Sequence, residues 1–130
     1  MVALITATLL LSQSTPKYLA VETWAFSEVL KHPVAPNLKK PTIEFLVDAK
    51  RVQGNGGVNS FGGPAKYKGR TIKIGSLVST LMAGTPEAMA LEKDVLAALS
   101  KADHWRAHKD YLELMDGKSR VAKLYRFRNR

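Results

Sequence analysis

Five of the chain's nine glycines fall within ten residues, in the run GNGGVNSFGG from Gly54 to Gly63. Glycine gathered like this lets backbone close on a ligand phosphate, or lets a strand bend where side chains would not fit. A dinucleotide fingerprint needs G-x-G-x-x-G opening a helix. Counted from Gly54, the third glycine would fall at Asn59. A P-loop needs Gly-Lys-Ser/Thr at its end, and Gly62-Gly63 runs into Pro64. No helical pattern follows within twenty residues, so no helix N-terminus is on hand for a phosphate. Gly54, Gly56, Gly57, Gly62 and Gly63 are therefore read as a glycine-rich bend in a sharply coiled or bulged strand. Val58 and Phe61 are then the side chains expected in or near the core.

Glu92 is the carboxylate with the most unusual setting. On a helical wheel, Ala88, Leu91, Val95 and Leu99 define an apolar face, and Glu92 falls inside it. A carboxylate there must be neutral or satisfied by hydrogen bonds. Three readings follow: an acid or ligand group lining a cavity, an exposed residue at the edge of the face, or a clasp from helix to sheet. The clasp would accept from backbone N–H groups, Asn59 or Thr80. His104 and His108 are four apart and share a face, but a two-histidine metal site needs a further ligand, which Asp103 or Asp110 would have to give. His32 stands alone in a loop. Ser60, Ser76 and Ser79 lie in no G-x-S-x-G motif. There is no cysteine, which removes disulfides, thiolate zinc sites and cysteine nucleophiles. No metal, cofactor or catalytic residue is expected, and the chain is read as a non-enzyme.

The elements that must place these residues are mostly strands. PTIEFLVD puts Ile43, Phe45 and Val47 on one face, and RTIKIG does the same with Ile72 and Ile74. Leu112 and Leu114 alternate with Glu113. Asp116-Gly117 then separates two strand-like runs, a strong hairpin signal, with Lys68-Gly69 a weaker turn. Pro33, Pro36 and Pro41 mark a surface loop. One segment has the helical period. Thr85 reads as N-cap, Pro86 as first helical residue and Glu87 as an acid in the first turn, giving a helix over about 86–102. The fold class is α+β, mainly antiparallel β: a strongly curved sheet or cracked β-barrel packed on one helix.

The chain has 130 residues, 45% hydrophobic and 24% charged, with a net charge of +9. That suits one soluble domain with a sizeable core. Lys50, Arg51, Lys66, Lys68, Arg70 and Lys73 occur between Ala49 and Gly75 without an acid. Such a balance favours nucleic acid, phospholipid head groups or polyanionic glycans, or simply a basic solvated surface. In the C-terminal RVAKLYRFRNR, Arg120, Arg126, Arg128 and Arg130 have one parity, and Val121, Tyr125 and Phe127 the other. One reading is a nucleic-acid face with bases stacked on the aromatics. The other is a final strand with aromatics in the core and arginines outside. Val2–Leu11 is an uncharged run too short to span a bilayer, with no basic residue ahead of it. Residues 1–17 are read as a signal remnant or an N-terminal strand, and 18–130 as the domain.

Trp24, the strand ending PTIEF, RVQGNGGVNSFGG, IKIGSLVSTLMAG, EKDVLAAL and DYLELMD occur in an order that resembles the META domain, or HslJ-like, family from about Tyr18 to Phe127. The sharpest part is the glycine-rich segment with Asn59, then Thr80-x-Met82-Ala83, then Glu92. The resemblance implies a curved antiparallel sheet or cracked barrel holding one helix, similar to lipid-binding pilot proteins of secretion systems. It implies an envelope, periplasmic or secreted protein, linked to heat stress, drug tolerance or virulence, with no established catalysis. The expected role is binding an envelope component, a lipid or another apolar ligand, or a membrane surface, by a monomer. The alternative is a basic β-barrel that binds nucleic acid. Many members carry cysteine where Val58 and Gly84 stand here. Their joint absence implies that these two positions are neighbours in space.

Overall fold

Alternating side chains make strands with one apolar face, and such strands must close around a shared interior. A computed structural model describes residues 15–127. A 3-10 helix, Pro16–Val21, leads into β1 (Trp24–Val29) and the short β2 (His32–Pro33). There follow β3 (Thr42–Leu46), β4 (Arg51–Asn55), β5 (Ser60–Lys68), β6 (Thr71–Ile74) and the short β7 (Val78–Ser79). Helix α1 (Pro86–Lys101) is followed by β8 (His104–Ala107), β9 (Leu112–Asp116) and β10 (Ser119–Arg126). Residues 1–14, with the signal-or-strand reading, lie outside the described residues, as do Arg128 and Arg130.

The sheet runs β10-β9-β8-β6-β5-β4-β3-β1, and β1 pairs with β10, so eight antiparallel strands close into a barrel. Closure removes the sheet edges that an open curved sheet would leave. The seam between β6 and β8 is the narrowest. Thr71 faces His104 there, flanked by Ile72 N–H to Asp103 O at 3.1 Å and Trp105 N–H to Arg70 O at 3.0 Å. Asp116 pairs with Ser119 across the expected hairpin, with Gly117 at φ 58°. Lys68 pairs with Thr71 across the other, with Gly69 at φ 55°.

Helix α1 presents Val95, Ala98 and Leu99, all 0% exposed, to the barrel interior. Trp24, Phe26, Phe45, Ile43, Trp105, Leu112, Leu114 and Leu124 fill that interior. The 3-10 helix covers one end. Leu19 is buried, its carbonyl accepts from Trp24 Nε1 at 3.0 Å, and Tyr18 stacks on Trp105 with ring centres 6.2 Å apart.

One expectation is corrected on β10. Tyr125 and Phe127 are 39% and 44% exposed, and the inward places go to Val121, Ala122 and Leu124. The cause is a register shift against β9 between Arg120 and Ala122. A bulge inserts one residue, and everything beyond it changes face. Arg126 thereby comes to the inward parity at the barrel end, where it donates to the Tyr18 hydroxyl at 2.7 Å and pairs with Glu22 at 3.3 Å.

Candidate functional site

Thr85 caps α1 by accepting from Ala88 N–H at 3.2 Å, with Pro86 at the first position. This start sets the helix phase that turns Glu92 inward, 5% exposed. Its Oε1 accepts from Val58 N–H at 3.1 Å and Asn59 N–H at 2.5 Å, and its Oε2 from Asn59 Nδ2 at 2.7 Å. Burial pushes the carboxyl's pKa up, but hydrogen bonds from the Asn59 side chain and the Asn59 and Val58 backbone outweigh it. Glu92 is held below the usual carboxylate range.

Asn59 relays this contact onward. It is 3% exposed and sits at the end of the loop joining β4 to β5. Its Oδ1 accepts from the Thr80 hydroxyl at 2.8 Å and from Met82 N–H at 2.6 Å, while its Nδ2 also donates to Met82 O at 3.1 Å. Thr80 is further tied to Ser60: its Oγ1 accepts from Ser60 N–H at 3.2 Å, and its own N–H donates to Ser60 O at 3.0 Å. Glu92, Asn59 and Thr80 thus come together, with Asn59 in the middle and no direct bond between Glu92 and Thr80 among those described.

The glycines serve this junction. A Cβ at Gly56 would stand 2.6 Å from Glu92 Cγ, so the carboxylate can enter only because residue 56 has no side chain. A Cβ at Gly54 would meet the Thr42 backbone oxygen at 2.1 Å, which would part β3 from β4. Gly57 takes φ 114° in the loop, with its N–H on Asn55 Oδ1 at 2.8 Å. Gly62 and Gly63 lie in β5, where Gly63 faces Ser76 O. Phe61 is buried and Val58 half-buried. A Cβ built on Gly84 would lie 3.5 Å from Val58 Cβ, so those two positions are neighbours.

The result is a clamped, outward-facing apolar segment. Val78 is 75% exposed, Leu81 96% and Met82 59%. Backbone or side-chain atoms of Thr80 and Met82 are fixed on Asn59 and Ser60, so Leu81 is displayed between two anchors. Single exposed apolar residues are ordinary, but three within five positions on a fastened backbone form a patch. Of the three, the sequence marks only Met82, within Thr80-x-Met82-Ala83, and gives no sign that it is exposed. The available signal was that GSLVSTLMAG carries large apolar residues in neither a strand nor a helix period.

The remaining candidates do not join this junction. His104 Nδ1 lies 2.5 Å from Asp103 Oδ1, and Gly117 N–H donates to the other Asp103 oxygen at 3.0 Å. The hydrogen bond to His104 and that from Gly117 hold the Asp103 carboxyl below its usual range. His108 Nε2 lies 2.6 Å from Glu113 Oε1, and Arg120 bridges Glu113 and Glu28. Among the described residues, no three or more acidic or histidine side chains form a group fit to hold a metal ion. On β10, Lys123 Nζ stands 4.5 Å from the Tyr111 ring centre and 5.5 Å from that of Tyr125.

The META domain family model matches residues 17–128. No curated protein sequence matches the chain. Two solved structures share its fold. One is an NMR structure of a protein from Burkholderia xenovorans, with TM-score 0.67 and 17% identity, covering 88% of this chain and 87% of that one. The other, also by NMR, has TM-score 0.65 and 20% identity, covering 85% and 93%.

Proposed function

The chain belongs to the META domain family, and from that premise we propose a non-catalytic docking domain of the cell envelope, or of the secreted fraction, that binds a membrane surface. The observation that carries the reading is the apolar segment held outward by Asn59. The Glu92 carboxylate is occupied by N–H donors and is spent on positioning, not on proton transfer. What the junction fixes is the backbone beneath Leu81 and Met82. A bilayer interface accepts such side chains, and basic residues add attraction to anionic lipids. The net charge of +9 supplies that attraction. The backbone of Lys39 borders the loop that carries Asn59, its carbonyl lying 3.6 Å from where a Gly57 side chain would begin. In this proposal the setting is heat stress, drug tolerance or virulence, which the family resemblance implies.

Flotation with vesicles tests the proposal. The protein should float with vesicles of mixed phosphatidylcholine and phosphatidylglycerol and less with phosphatidylcholine alone. Leu81→Ser with Met82→Ser should weaken binding by about tenfold or more, given the burial of two apolar side chains. Failure to float at low salt, or equal flotation of the variant, would overturn it.

A second reading, nucleic-acid binding, is favoured by the exposed Tyr125 and Phe127, with Lys123 Nζ 5.5 Å from the Tyr125 ring centre. Against it, Arg126 is engaged by Glu22 and Tyr18. A nucleic-acid binder must shift a single-stranded oligonucleotide at low salt and lose it steeply as salt rises.

A further inference from the structure

Strands β5 and β6 pair so that Lys66 stands directly opposite Lys73. Both side chains are exposed. Like charges in direct cross-strand register repel. Neither lysine forms an ion pair with an acid, since the ion pairs among the described residues all use arginine or histidine. A third cation joins them from the turn between β3 and β4. Lys50 takes φ 55°, the left-handed region that a residue with a Cβ seldom adopts. Its carbonyl accepts from Ala65 N–H at 2.9 Å, which fastens that turn beside β5. Backbone held in a disfavoured region points to a site over-determined by its surroundings.

Between the three lysines lies a recess of about 430 Å³, within the ordinary range for small-ligand sites. Its floor is Pro64, Ala65 and Gly75. Gly75 N–H donates to Pro64 O at 2.8 Å, and a Cβ at Gly75 would strike Pro64 Cγ at 2.9 Å, so the floor is flat as well as apolar. No acid and no aromatic ring lines it. A neighbouring recess shares Lys66 and Lys73 but also holds Asp103 and Asp116, whose charges would oppose an anion.

We propose that this recess binds a phosphate group carried on an apolar body, as in an anionic phospholipid. Three ammonium groups supply the charge that a phosphate monoester or diester needs, and the anion removes the Lys66–Lys73 repulsion. The floor takes the adjoining apolar atoms. Nucleic acid fits less well, because no ring is present to stack a base. The site stands apart from the Leu81–Met82 segment, and its test needs no membrane.

The full chain, labelled with 15N, would be titrated with dihexanoyl phosphatidic acid below its micelle concentration. Inorganic phosphate, dihexanoyl phosphatidylcholine and a single-stranded oligonucleotide serve as comparisons. The amides of Lys50, Ala65, Lys66, Lys73 and Gly75 should shift and saturate with the phosphatidic acid. Inorganic phosphate should move the same amides at least tenfold more weakly. Lys66→Gln with Lys73→Gln should cut the affinity at least tenfold while leaving the melting temperature equal or higher, since a repulsion is removed. The proposal is overturned if no recess amide moves, if the double variant binds as well, or if phosphatidylcholine binds equally. Equal affinity for inorganic phosphate would overturn the role of the floor. Tighter binding of the oligonucleotide at these amides would overturn the choice of an amphiphile. Soluble lipid binding with no flotation would sustain this site and reject the membrane reading.

Discussion

Glu92 on α1 and Glu113 on β9 are 5% and 8% exposed, and both carboxyls are held below their usual range. Their surroundings differ in kind. Glu92 is met by N–H groups of Val58 and Asn59, which are neutral dipoles. For Glu113 burial again pushes upward, and the hydrogen bonds from His108 and Arg120 prevail, helped by the nearby charges of His108 and Arg106. One carboxylate is fixed by oriented dipoles and the other by flexible cations. Dipoles demand close placement of backbone, and Gly56, where a Cβ would meet Glu92, allows it. The Arg106 and Arg120 guanidiniums reach in from partly exposed side chains and tolerate small displacements.

The largest expected effect comes from replacing the dipolar junction's neighbourhood with a covalent tie. Val58→Cys with Gly84→Cys brings together two Cβ positions 3.5 Å apart, within the ~3.5–4.5 Å that a disulfide spans. The oxidised variant should gain about 3 kcal/mol over its reduced form. Thermal unfolding with and without reductant measures the gain. A pair that fails to oxidise, or oxidises without gain, would show that the two loops are not held together as described.

Next in size is the loss of the dipolar acceptor itself. Glu92→Ala strands three donors and should cost roughly 1–3 kcal/mol. Gly56→Ala should cost a similar amount in the parent by displacing Glu92, and less in the Glu92→Ala background. The coupling between them should be on the order of 1 kcal/mol. Urea unfolding of the four proteins in the cycle gives the number. Additive costs would mean that Gly56 is required by its loop and not by Glu92.

Much of this junction was legible in the sequence, because its parts are local. Thr85-Pro86-Glu87 announces the helix start, and the wheel then places Glu92 among Leu91, Val95 and Leu99. A charged residue on an apolar face must find partners, and the glycine run with Asn59 offers them. What was not legible depends on pairing between distant strands. The bulge on β10 has no local mark in RVAKLY, so the parity rule placed Tyr125 and Phe127 inside and they face outward. Closure of β1 on β10 joins segments nearly a hundred residues apart. Glu113 reads as the polar half of an alternating strand, and only the neighbouring β10 brings Arg120 to it. Leu81 and Met82 belong to no period at all, and the fastening that exposes them comes from Asn59, some twenty positions earlier.

The smallest effect discriminates the two carboxylates best, because it rests on the medium and not on shape. Glu113→Gln should cost about 1 kcal/mol at neutral pH, and this cost should shrink in high salt, where half-exposed cations are screened. The cost of Glu92→Ala should not shrink, since its partners carry no net charge. Acid separates them from neither side alone. A carboxyl whose folded pKa is depressed adds stability above its unfolded value and loses it as pH falls through the folded value. Both residues are lowered from 4.5, so each contributes fully above that pH and is lost progressively below it. Each single variant should therefore show a shallower fall in melting temperature below pH 4.5 than the parent, and the double variant a shallower one still. If Glu113→Gln kept the parent's acid slope, the cations would be paired on Glu28 alone, and the contrast between dipole and cation would reduce to one buried carboxylate.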